Sequence, residues 1–365
     1  FIIKNIIMKK IKIYIFHPYS RIGGADLSLS RLINNLDEKK YSITFITFKN
    51  PSIKFYLRKK IKIHIIKKKR AILSIFELRK FIKKDSKHDD FSKTIFLSNQ
   101  NFANIISIIA LFRINWIKLI LIERNNPIEL DYIKNFKNKI IKFLIKVSYR
   151  FSDCIISISK ELGNDLEKLC KKKVKTIYNA AYDKKLIRYS RKKQKKLKYK
   201  VILNVARFEK QKNQLMLLES FNLIHKNINA KLILVGYGNE EKNLKSFIQN
   251  NNLKNKVLLI KKPKNIYHYY KIADLFVLTS IYEGFGNVLV EAGIFKIPII
   301  STNCKSGPKE ILENGKFGDN KRLSNLMIKN LTNKNKNKIS RMYNSLKKFN
   351  IKKHIYEYEK IFKKV

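Results

Sequence analysis

Two glutamates flank a glycine-containing turn in the last third of the chain. Glu283 begins the turn and Glu291 follows it by eight residues. An apolar run at Leu275–Leu278 precedes the turn and predicts a buried parallel strand, and the residues from about Asn287 onward predict a helix. The turn therefore directs backbone N–H groups and a helix dipole toward a bound anion. A ligand with phosphates and hydroxyl groups, such as a sugar nucleotide, could use both features.

The frame around these glutamates resembles the signature of glycosyltransferase family 4, whose members are retaining enzymes with the GT-B fold. Glu283 and Glu291 match the Glu-x7-Glu element, and Ala273–Ser280 and Gly307–Leu312 match its flanks. The resemblance implies that Glu283 binds donor-sugar hydroxyls beside the oxocarbenium-like centre and that Glu291 binds the ribose. A solvated surface position is the alternative for both glutamates. The resemblance also places donor contacts at Gly284, Phe285, Gly286, Asn287 and Val288.

Two cations follow another predicted strand, Val201–Val205. Arg207 and Lys212 have the spacing of the Arg-x4-Lys pair with which the resembled family grips the donor diphosphate, and a predicted helix, Gln214–Ile224, follows them. Fixed cations suit this task because cleavage of a sugar–phosphate bond develops negative charge on the leaving group. We therefore predict Glu283, Arg207 and Lys212 as the catalytic residues. With no Asp-x-Asp motif present, neither a metal nor another cofactor is expected.

The first half of the chain offers weaker candidates. Gly23 and Gly24 follow a predicted strand, Lys10–Phe16, and open a helix, which makes either an anion site or a plain tight turn. In the resembled family such a loop lies near the donor phosphates and the acceptor. Arg124 and Asn125 follow a later strand and resemble an acceptor-side element of one branch of the family. A helix cap followed by a turn is the alternative for this second segment.

Composition limits the remaining functions. The 365 residues are 45% hydrophobic and carry a formal net charge of +53. The charge is compatible with anionic partners, yet lysine is spread along the whole chain, which favours generally solvated faces. No aromatic-basic RNA motif or recognition helix accompanies it, so nucleic-acid binding is not expected. The three cysteines have no paired spacing, which predicts neither disulfides nor a zinc site and favours a reducing cytoplasm.

The segment Ile133–Phe151 predicts a basic amphipathic helix. Such a helix can lie on an anionic membrane at the inner face of the cytoplasmic membrane, or it can pack on the sheet as an ordinary helix. The stretch Ile105–Ile122 is apolar but contains Arg113 and Lys118, so we interpret it as a helix, a turn and a strand rather than a membrane span.

Strand–helix alternation occurs twice along the chain and predicts an α/β protein. With the resemblance it predicts a GT-B fold, in which two Rossmann-like domains face a central cleft. The predicted parts are an acceptor-side domain at 1–181, a basic linker at 182–200, a nucleotide-sugar domain at 201–338, and a C-terminal helix at 339–365 that returns to the first domain.

The resulting expectation is a retaining, hexosyltransferase-type glycosyltransferase. It would move a sugar from a nucleotide sugar, with UDP as the expected nucleotide, to a hydroxyl of a lipid-linked or lipopolysaccharide- or capsule-type glycan. The alternative is an inactive family member that binds nucleotide sugar without turnover. It is motivated by the segment after Gly318, where relatives continue through a short strand that is missing in this sequence.

Overall fold

The computed structural model describes residues 9–18, 23–48, 52–58, 61–67, 73–86, 91–127, 129–132, 135–192, 197–304, 306–313, 320–333 and 335–365. The chain divides into two compact units, each with its own sheet. The first unit comprises residues 1–180 together with 351–365, and the second comprises residues 181–350.

The first unit contains a seven-stranded parallel sheet in the order β3-β2-β1-β4-β5-β6-β7. Its elements are β1 (Lys10–Phe16), α1 (Gly24–Asn35), β2 (Tyr41–Thr47), β3 (Lys62–Ile65), α2 (Ser74–Asp85), β4 (Phe91–Asn99), α3 (Asn101–Leu111), β5 (Ile117–Glu123), α4 (Glu129–Tyr132), α5 (Phe136–Ser148), β6 (Cys154–Ser157), α6 (Lys160–Cys170) and β7 (Val174–Thr176). Short 3-10 turns lie at Ser52–Tyr56 and Tyr149–Phe151.

Apolar strands explain why this sheet lies inside the unit. Ile13, Tyr14, Ile15 and Phe16 of β1 are all fully buried. A strand that is apolar on both sides needs cover on both faces, and parallel sheets obtain that cover from their crossover helices. Helices α2, α3, α5 and α6 contact one another in that order and form one helical layer.

The second unit contains a five-stranded parallel sheet in the order β10-β9-β8-β11-β12. Its elements are α7 (Lys184–Ser190), β8 (Lys200–Val205), α8 (Gln214–Asn222), β9 (Ala230–Val235), α9 (Glu241–Asn250), β10 (Val257–Ile260), α10 (Tyr267–Ile272), β11 (Leu275–Leu278), α11 (Asn287–Ile294), β12 (Ile299–Ser301), α12 (Gly307–Leu312), α13 (Asn320–Thr332) and α14 (Lys336–Ser345), with 3-10 turns at Lys210–Lys212 and Leu346–Phe349. Leu203, Leu234 and Val277 represent its fully buried strand residues.

The chain enters and leaves the second unit at neighbouring points. Ala181 N donates to Phe349 O (3.2 Å), and Tyr182 forms a parallel bridge with Asn350. The last helix, α15 (Ile351–Lys364), therefore returns to the first unit, where it contacts α1. The segment predicted as a linker contains α7, and residues 339–350 lie in the second unit.

The predicted α/β class is confirmed, and several elements have the predicted bounds. β1 and β11 begin and end where the sequence predicts, and α11 begins at Asn287. The stretch Ile105–Ile122 contains the end of α3, a turn and most of β5, as predicted. The missing strand that motivates the inactive alternative would follow Gly318, and residues 314–319 lie outside the described residues.

Candidate active site

The carboxyl ends of two adjacent strands bring the strongest candidates together. β8 pairs with β9 on one side and with β11 on the other, so strand order reverses between β8 and β11. Lys212 lies in the loop after β8, and Glu283 lies in the loop after β11. Ligands of open α/β sheets bind at such a reversal, at the carboxyl ends of the strands.

Lys212 and Glu283 form an ion pair at this edge. Lys212 Nζ lies 2.6 Å from Glu283 Oε1, and the two side chains are only 12% and 11% exposed. Ser280 Oγ donates to the same oxygen at 2.7 Å. Glu283 Oε2 has no hydrogen-bond partner within the described residues, so one oxygen of the carboxylate is positioned while the other is available to a ligand.

Backbone and side-chain bonds join the two loops that carry the pair. Ile281 N donates to Gln211 O (2.8 Å), and Gln211 Nε2 donates to Tyr282 O (2.8 Å). Thr279 Oγ1 donates to Lys212 O (3.0 Å). The ion pair therefore has a scaffold of bonds that fixes the backbone on both sides of it.

The turn before α11 has a conformation that requires glycine. Gly286 has φ +86° at the helix N-cap, a value that L side chains rarely adopt. A second glycine allows close packing, because a Cβ on Gly307 would lie 2.0 Å from Phe285 O. The Phe285 side chain is buried against Phe349, with ring centroids 5.1 Å apart, so only its backbone can reach a ligand. Asn287 is also buried, whereas Gly284 and Val288 are half-buried.

Glu291 lies in α11 and is held by Tyr270, a residue that no pattern in the sequence singles out. Tyr270 OH donates to Glu291 Oε2 at 2.8 Å, and Glu291 is 7% exposed. The Tyr270 ring stacks on Phe276 and on Phe295, with centroid distances of 5.8 and 5.5 Å. Burial, and then the charge of Glu291, raises the pKa of Tyr270 well above its ordinary value, which keeps the phenol protonated as a donor. With Glu283 also buried, the solvated-surface alternative is wrong for both glutamates.

Arg207, the other predicted cation, is exposed and has no ion-pair partner in the part of the chain that the structure describes. The backbone on both sides of Arg207 packs closely against two glycines of the next loop. A Cβ on Gly236 would lie 1.9 Å from Ala206 O, and one on Gly238 would lie 2.3 Å from Phe208 O. These glycines are therefore required by close backbone approach, and the guanidinium of Arg207 is free to bind an anion.

The cysteine near the ion pair, Cys304, is protonated and buried. Burial, followed by the charge of Glu283, raises the pKa of Cys304 to about 12, so this thiol is not a thiolate nucleophile at neutral pH. All three cysteines are free and buried. Among the described residues, no group of three or more His, Cys, Asp or Glu side chains could hold a metal ion.

In the first unit, Gly23 and Gly24 stand at the start of α1, after the strand β1. Asp26 Oδ2 accepts the Gly23 N–H at 2.8 Å, and Asp26 is itself buried. Gly23 has extended backbone angles that any residue can adopt. A carboxylate at this helix start makes it less favourable for phosphate, and it leaves a hydroxyl-bearing ligand as the better match.

The two acceptor-side candidates after β5, Arg124 and Asn125, differ in exposure and in hydrogen bonding. Asn125 is exposed, whereas Arg124 is 3% exposed and donates from Nε to Asn99 Oδ1 (2.5 Å) and from Nη1 to Asn179 Oδ1 (2.8 Å). Burial lowers the pKa of Arg124. Neighbouring Glu123 accepts the backbone N–H of both residues and is fully buried. Glu123 at the end of β5 thus ties down the backbone of both residues.

Comparison with known proteins decides the family. A family model described as glycosyl transferases group 1 matches residues 187–349. An uncharacterized glycosyltransferase of Methanocaldococcus jannaschii is 35% identical over 293 residues, which cover 75% of this chain and 72% of the relative. This chain belongs to the group 1 glycosyltransferases.

Two further similarities accompany this assignment. The glycosyltransferase is 31% identical over 227 residues to the N-acetylgalactosamine-N,N'-diacetylbacillosaminyl-diphospho-undecaprenol 4-alpha-N-acetylgalactosaminyltransferase of Campylobacter jejuni, covering 61% of this chain and 60% of that one. Its fold matches the crystal structure of Anabaena HepE in complex with UDP and glucose, with a TM-score of 0.77 at 19% identity, covering 98% of this chain and 100% of the other. The predicted GT-B fold and the predicted glycosyltransferase activity are confirmed.

Proposed function

We propose that this glycosyltransferase moves a sugar from a UDP-sugar to a glycan hydroxyl with retention at the anomeric carbon, as in glycosyltransferase family 4. The observation that carries the proposal is the Lys212–Glu283 pair at the strand reversal of the second sheet. UDP is supported by the HepE structure of similar fold, which contains it.

The cations suit a departing diphosphate. An ammonium group has three N–H donors, and Lys212 uses one of them on Glu283. The remaining donors can bind phosphate oxygens, and the exposed guanidinium of Arg207 can add two parallel bonds. Lys212 is held by Glu283 before the reaction, and the backbone that carries Arg207 is closely packed against Gly236 and Gly238. The two cations are therefore placed to stabilise the charge that develops as the sugar–phosphate bond breaks. No metal is proposed.

The carboxylates suit retention without a covalent intermediate. Glu283 Oε1 already accepts from Lys212 and Ser280, which orients Oε2 toward a donor-sugar hydroxyl. Glu291 accepts from Tyr270 and is proposed to bind the ribose hydroxyls. Because both groups are held by donors, neither is arranged as a free nucleophile, and we propose front-side attack by the acceptor. The N–H groups of Phe285, Gly286 and Asn287 are proposed to complete the donor site.

The acceptor is proposed to be lipid-linked or capsule-type glycan. The Campylobacter relative is named for a diphospho-undecaprenol-linked acceptor, and a Staphylococcus aureus relative is named for capsular polysaccharide biosynthesis. The hydroxyl-favouring helix start at Gly23 and Gly24, together with exposed Asn125, is the proposed acceptor side of the first unit.

An exposed helix face supports contact with an anionic membrane. In α5, Phe136, Ile140 and Phe143 are 79%, 42% and 61% exposed, and their spacing places them on one stripe. Ile145, on the opposite side of the helix, is fully buried. We define Phe136, Ile140 and Phe143 as the α5 stripe. Apolar side chains facing water with lysines beside them match the surface of an anionic bilayer.

The lysines beside the α5 stripe are Lys137, Lys139 and Lys146, whereas Lys142 is paired with Asp131. Exposed Phe76 of α2 and Phe112 after α3 extend the apolar character of the same helical layer. Among the residues that the structure describes, no helix has the length and apolar content needed to cross a bilayer.

The donor proposal is tested with a panel of UDP-, GDP- and ADP-sugars, following thermal shift and nucleotide release together. We expect a shift and slow release with one UDP-sugar, and loss of release in Glu283→Gln. Glu209→Gln, a change of the same type in the loop after β8, serves as the control. A response to no nucleotide sugar would refute the site, and NMR analysis of the product anomer tests retention.

The inactive alternative gives a different result in the same panel. A protein that binds without turnover would show the thermal shift with no nucleotide release, even after lipid-linked acceptors are added. Release that depends on Glu283 would exclude it.

Membrane contact is tested by sedimentation with phosphatidylglycerol and phosphatidylcholine vesicles. We expect binding to the anionic vesicles that weakens as salt is added. The double variant Phe136→Ser/Phe143→Ser should bind these vesicles at least tenfold more weakly, because each aromatic side chain buried in the bilayer contributes about 1.5–3 kcal/mol. The control is Leu223→Ser, which removes a 59% exposed apolar side chain from the second unit. Equal loss in both variants would refute the assigned surface.

A further inference from the structure

A chain of buried polar side chains crosses the carboxyl edge of the first sheet. It links residues at the carboxyl ends of β1, β4 and β5 to the start of α1, and each of them is at most 6% exposed. The members, in order of contact, are Asp26, His17, Asn99 and Arg124. This edge contains the strand reversal of the first sheet, because β1 pairs with both β2 and β4.

The hydrogen-bond directions in this chain follow from chemistry alone. An arginine can only donate, so Arg124 Nε, 2.5 Å from Asn99 Oδ1, fixes that atom as the carbonyl oxygen. The other end of the amide is then the NH2 group, which lies 2.8 Å from His17 Nδ1. His17 Nδ1 must therefore be the unprotonated nitrogen.

The proton of the neutral imidazole is then on the other nitrogen. His17 Nε2 lies 2.7 Å from Asp26 Oδ1 and donates to it. Asp26 Oδ2 accepts the Gly23 N–H at the start of α1. These hydrogen bonds thus connect Arg124, through the Asn99 amide and the His17 imidazole, to Asp26. Asp26 in turn holds the backbone N–H of Gly23.

We propose that Arg124, Asn99 and His17 are positioning residues that fix the Gly23–Gly24 loop for the acceptor, and that His17 is held as the neutral Nε2–H tautomer. This inference rests on the proposed acceptor role of that loop. It also gives Arg124 a different role from the acceptor contact that the sequence predicts, because two of its nitrogens are occupied within the network. His17, fully buried with both nitrogens bonded, does not serve as the base that deprotonates the acceptor.

The tautomer is tested by NMR on the full chain labelled with ¹⁵N-histidine. The chain has six histidines, and the His17 signals are those lost in His17→Gln. We expect a protonated Nε2 and a bare Nδ1 at neutral pH. A wild-type His17 that carries its proton on Nδ1 would overturn the proposal.

An isosteric substitution sharpens this test. Asn99→Asp keeps an acceptor for Arg124 but places a second acceptor against His17 Nδ1. The imidazole, which also faces Asp26 and the ring of Phe45, should then become protonated on both nitrogens. Asn101→Asp, the same change at the start of α3, should leave the His17 signals unchanged. An unchanged His17 in Asn99→Asp would contradict the network.

Steady-state kinetics separate a positioning role from a purely structural one. We expect Asn99→Asp and Arg124→Lys to raise the acceptor KM at least tenfold while UDP affinity stays unchanged, since the donor site is in the second unit. An unaltered acceptor KM with the NMR result confirmed would overturn the positioning role. Failure of the proposed function itself would appear differently, as a wild-type protein that releases nucleotide from no sugar donor.

Discussion

The buried carboxyl group of Glu123 predicts an unusual dependence of stability on pH. Glu123 is fully buried at the end of β5. Burial raises its pKa from the ordinary 4.5 to about 7, although Tyr149 OH and the backbone N–H groups of Asn125 and Arg124 oppose the shift. A pKa difference of this size between the folded and unfolded states corresponds to about 3 kcal/mol.

The sign follows from proton linkage. Between pH 4.5 and 7 the folded state holds a proton on Glu123 that the unfolded state has released, so raising the pH favours unfolding. The stabilising contribution is complete below pH 4.5 and is lost as the pH rises through about 7. Glu123→Gln imitates the protonated form, and the variant should become more stable than the wild type by about 3 kcal/mol at pH 8, with little difference at pH 4.5.

The assay uses denaturant unfolding followed by tryptophan fluorescence. Trp116 is the single tryptophan of the chain, and it lies in the first unit with Glu123, where its Nε1 donates to Ser86 Oγ at 3.1 Å. Glu38→Gln is the control, because the Glu38 side chain is 46% exposed and its pair with Arg58 contributes little. A difference between wild type and Glu123→Gln that does not change with pH would refute the reasoning.

Three further outcomes test other parts of the structure. Burial lowers the pKa of His354 to about 3, so on acidification the unfolded state binds a proton at this side chain before the folded state does. The free energy of unfolding should therefore fall below about pH 6.5. His354→Phe should remove this acid sensitivity, as measured by fluorescence-monitored unfolding. Gly307→Ala would place a methyl group 2.0 Å from Phe285 O, so it should lower both the melting temperature and the affinity for UDP. Gly23→Ala is the control, because its methyl group would meet only an ordinary 3.6 Å contact and should leave the melting temperature unchanged. Ser280→Ala removes a hydrogen bond to a charged group at Glu283 and should lower kcat/KM about tenfold, with an unchanged value as the contradicting result.

The sequence predicted the donor side of the fold well because local signals agree there. An apolar run, a glycine turn and a helix ended before Pro298 determine β11 and α11 without reference to distant residues. The spacings of Glu283 and Glu291, and of Arg207 and Lys212, carry little information alone, and it is their position after predicted strands that made these residues candidates. The contact of Lys212 with Glu283 across two loops is a consequence of β8 and β11 being neighbours.

Contacts between residues that are far apart in the chain could not be predicted from the sequence. Tyr270 lies in a short helix whose pattern gives no reason to single out one tyrosine, and only the structure joins it to Glu291. His17 and Asn99 lie at the carboxyl ends of different strands, so their contact depends on strand order. Polar residues directly after several strands were the available signal. Amphipathicity of α5 left two alternatives open, since periodicity defines an apolar face but does not say what covers it.

The most direct test of the central claim is a calorimetric titration of UDP into the wild type, Lys212→Met and Lys210→Met. Both variants remove one positive charge from the same 3-10 turn, and Lys210 is exposed whereas Lys212 pairs with Glu283. If Lys212 binds the donor diphosphate, Lys212→Met should weaken UDP binding at least tenfold while Lys210→Met leaves it within about twofold. Equal affinities in the two variants would contradict the assignment of the donor site.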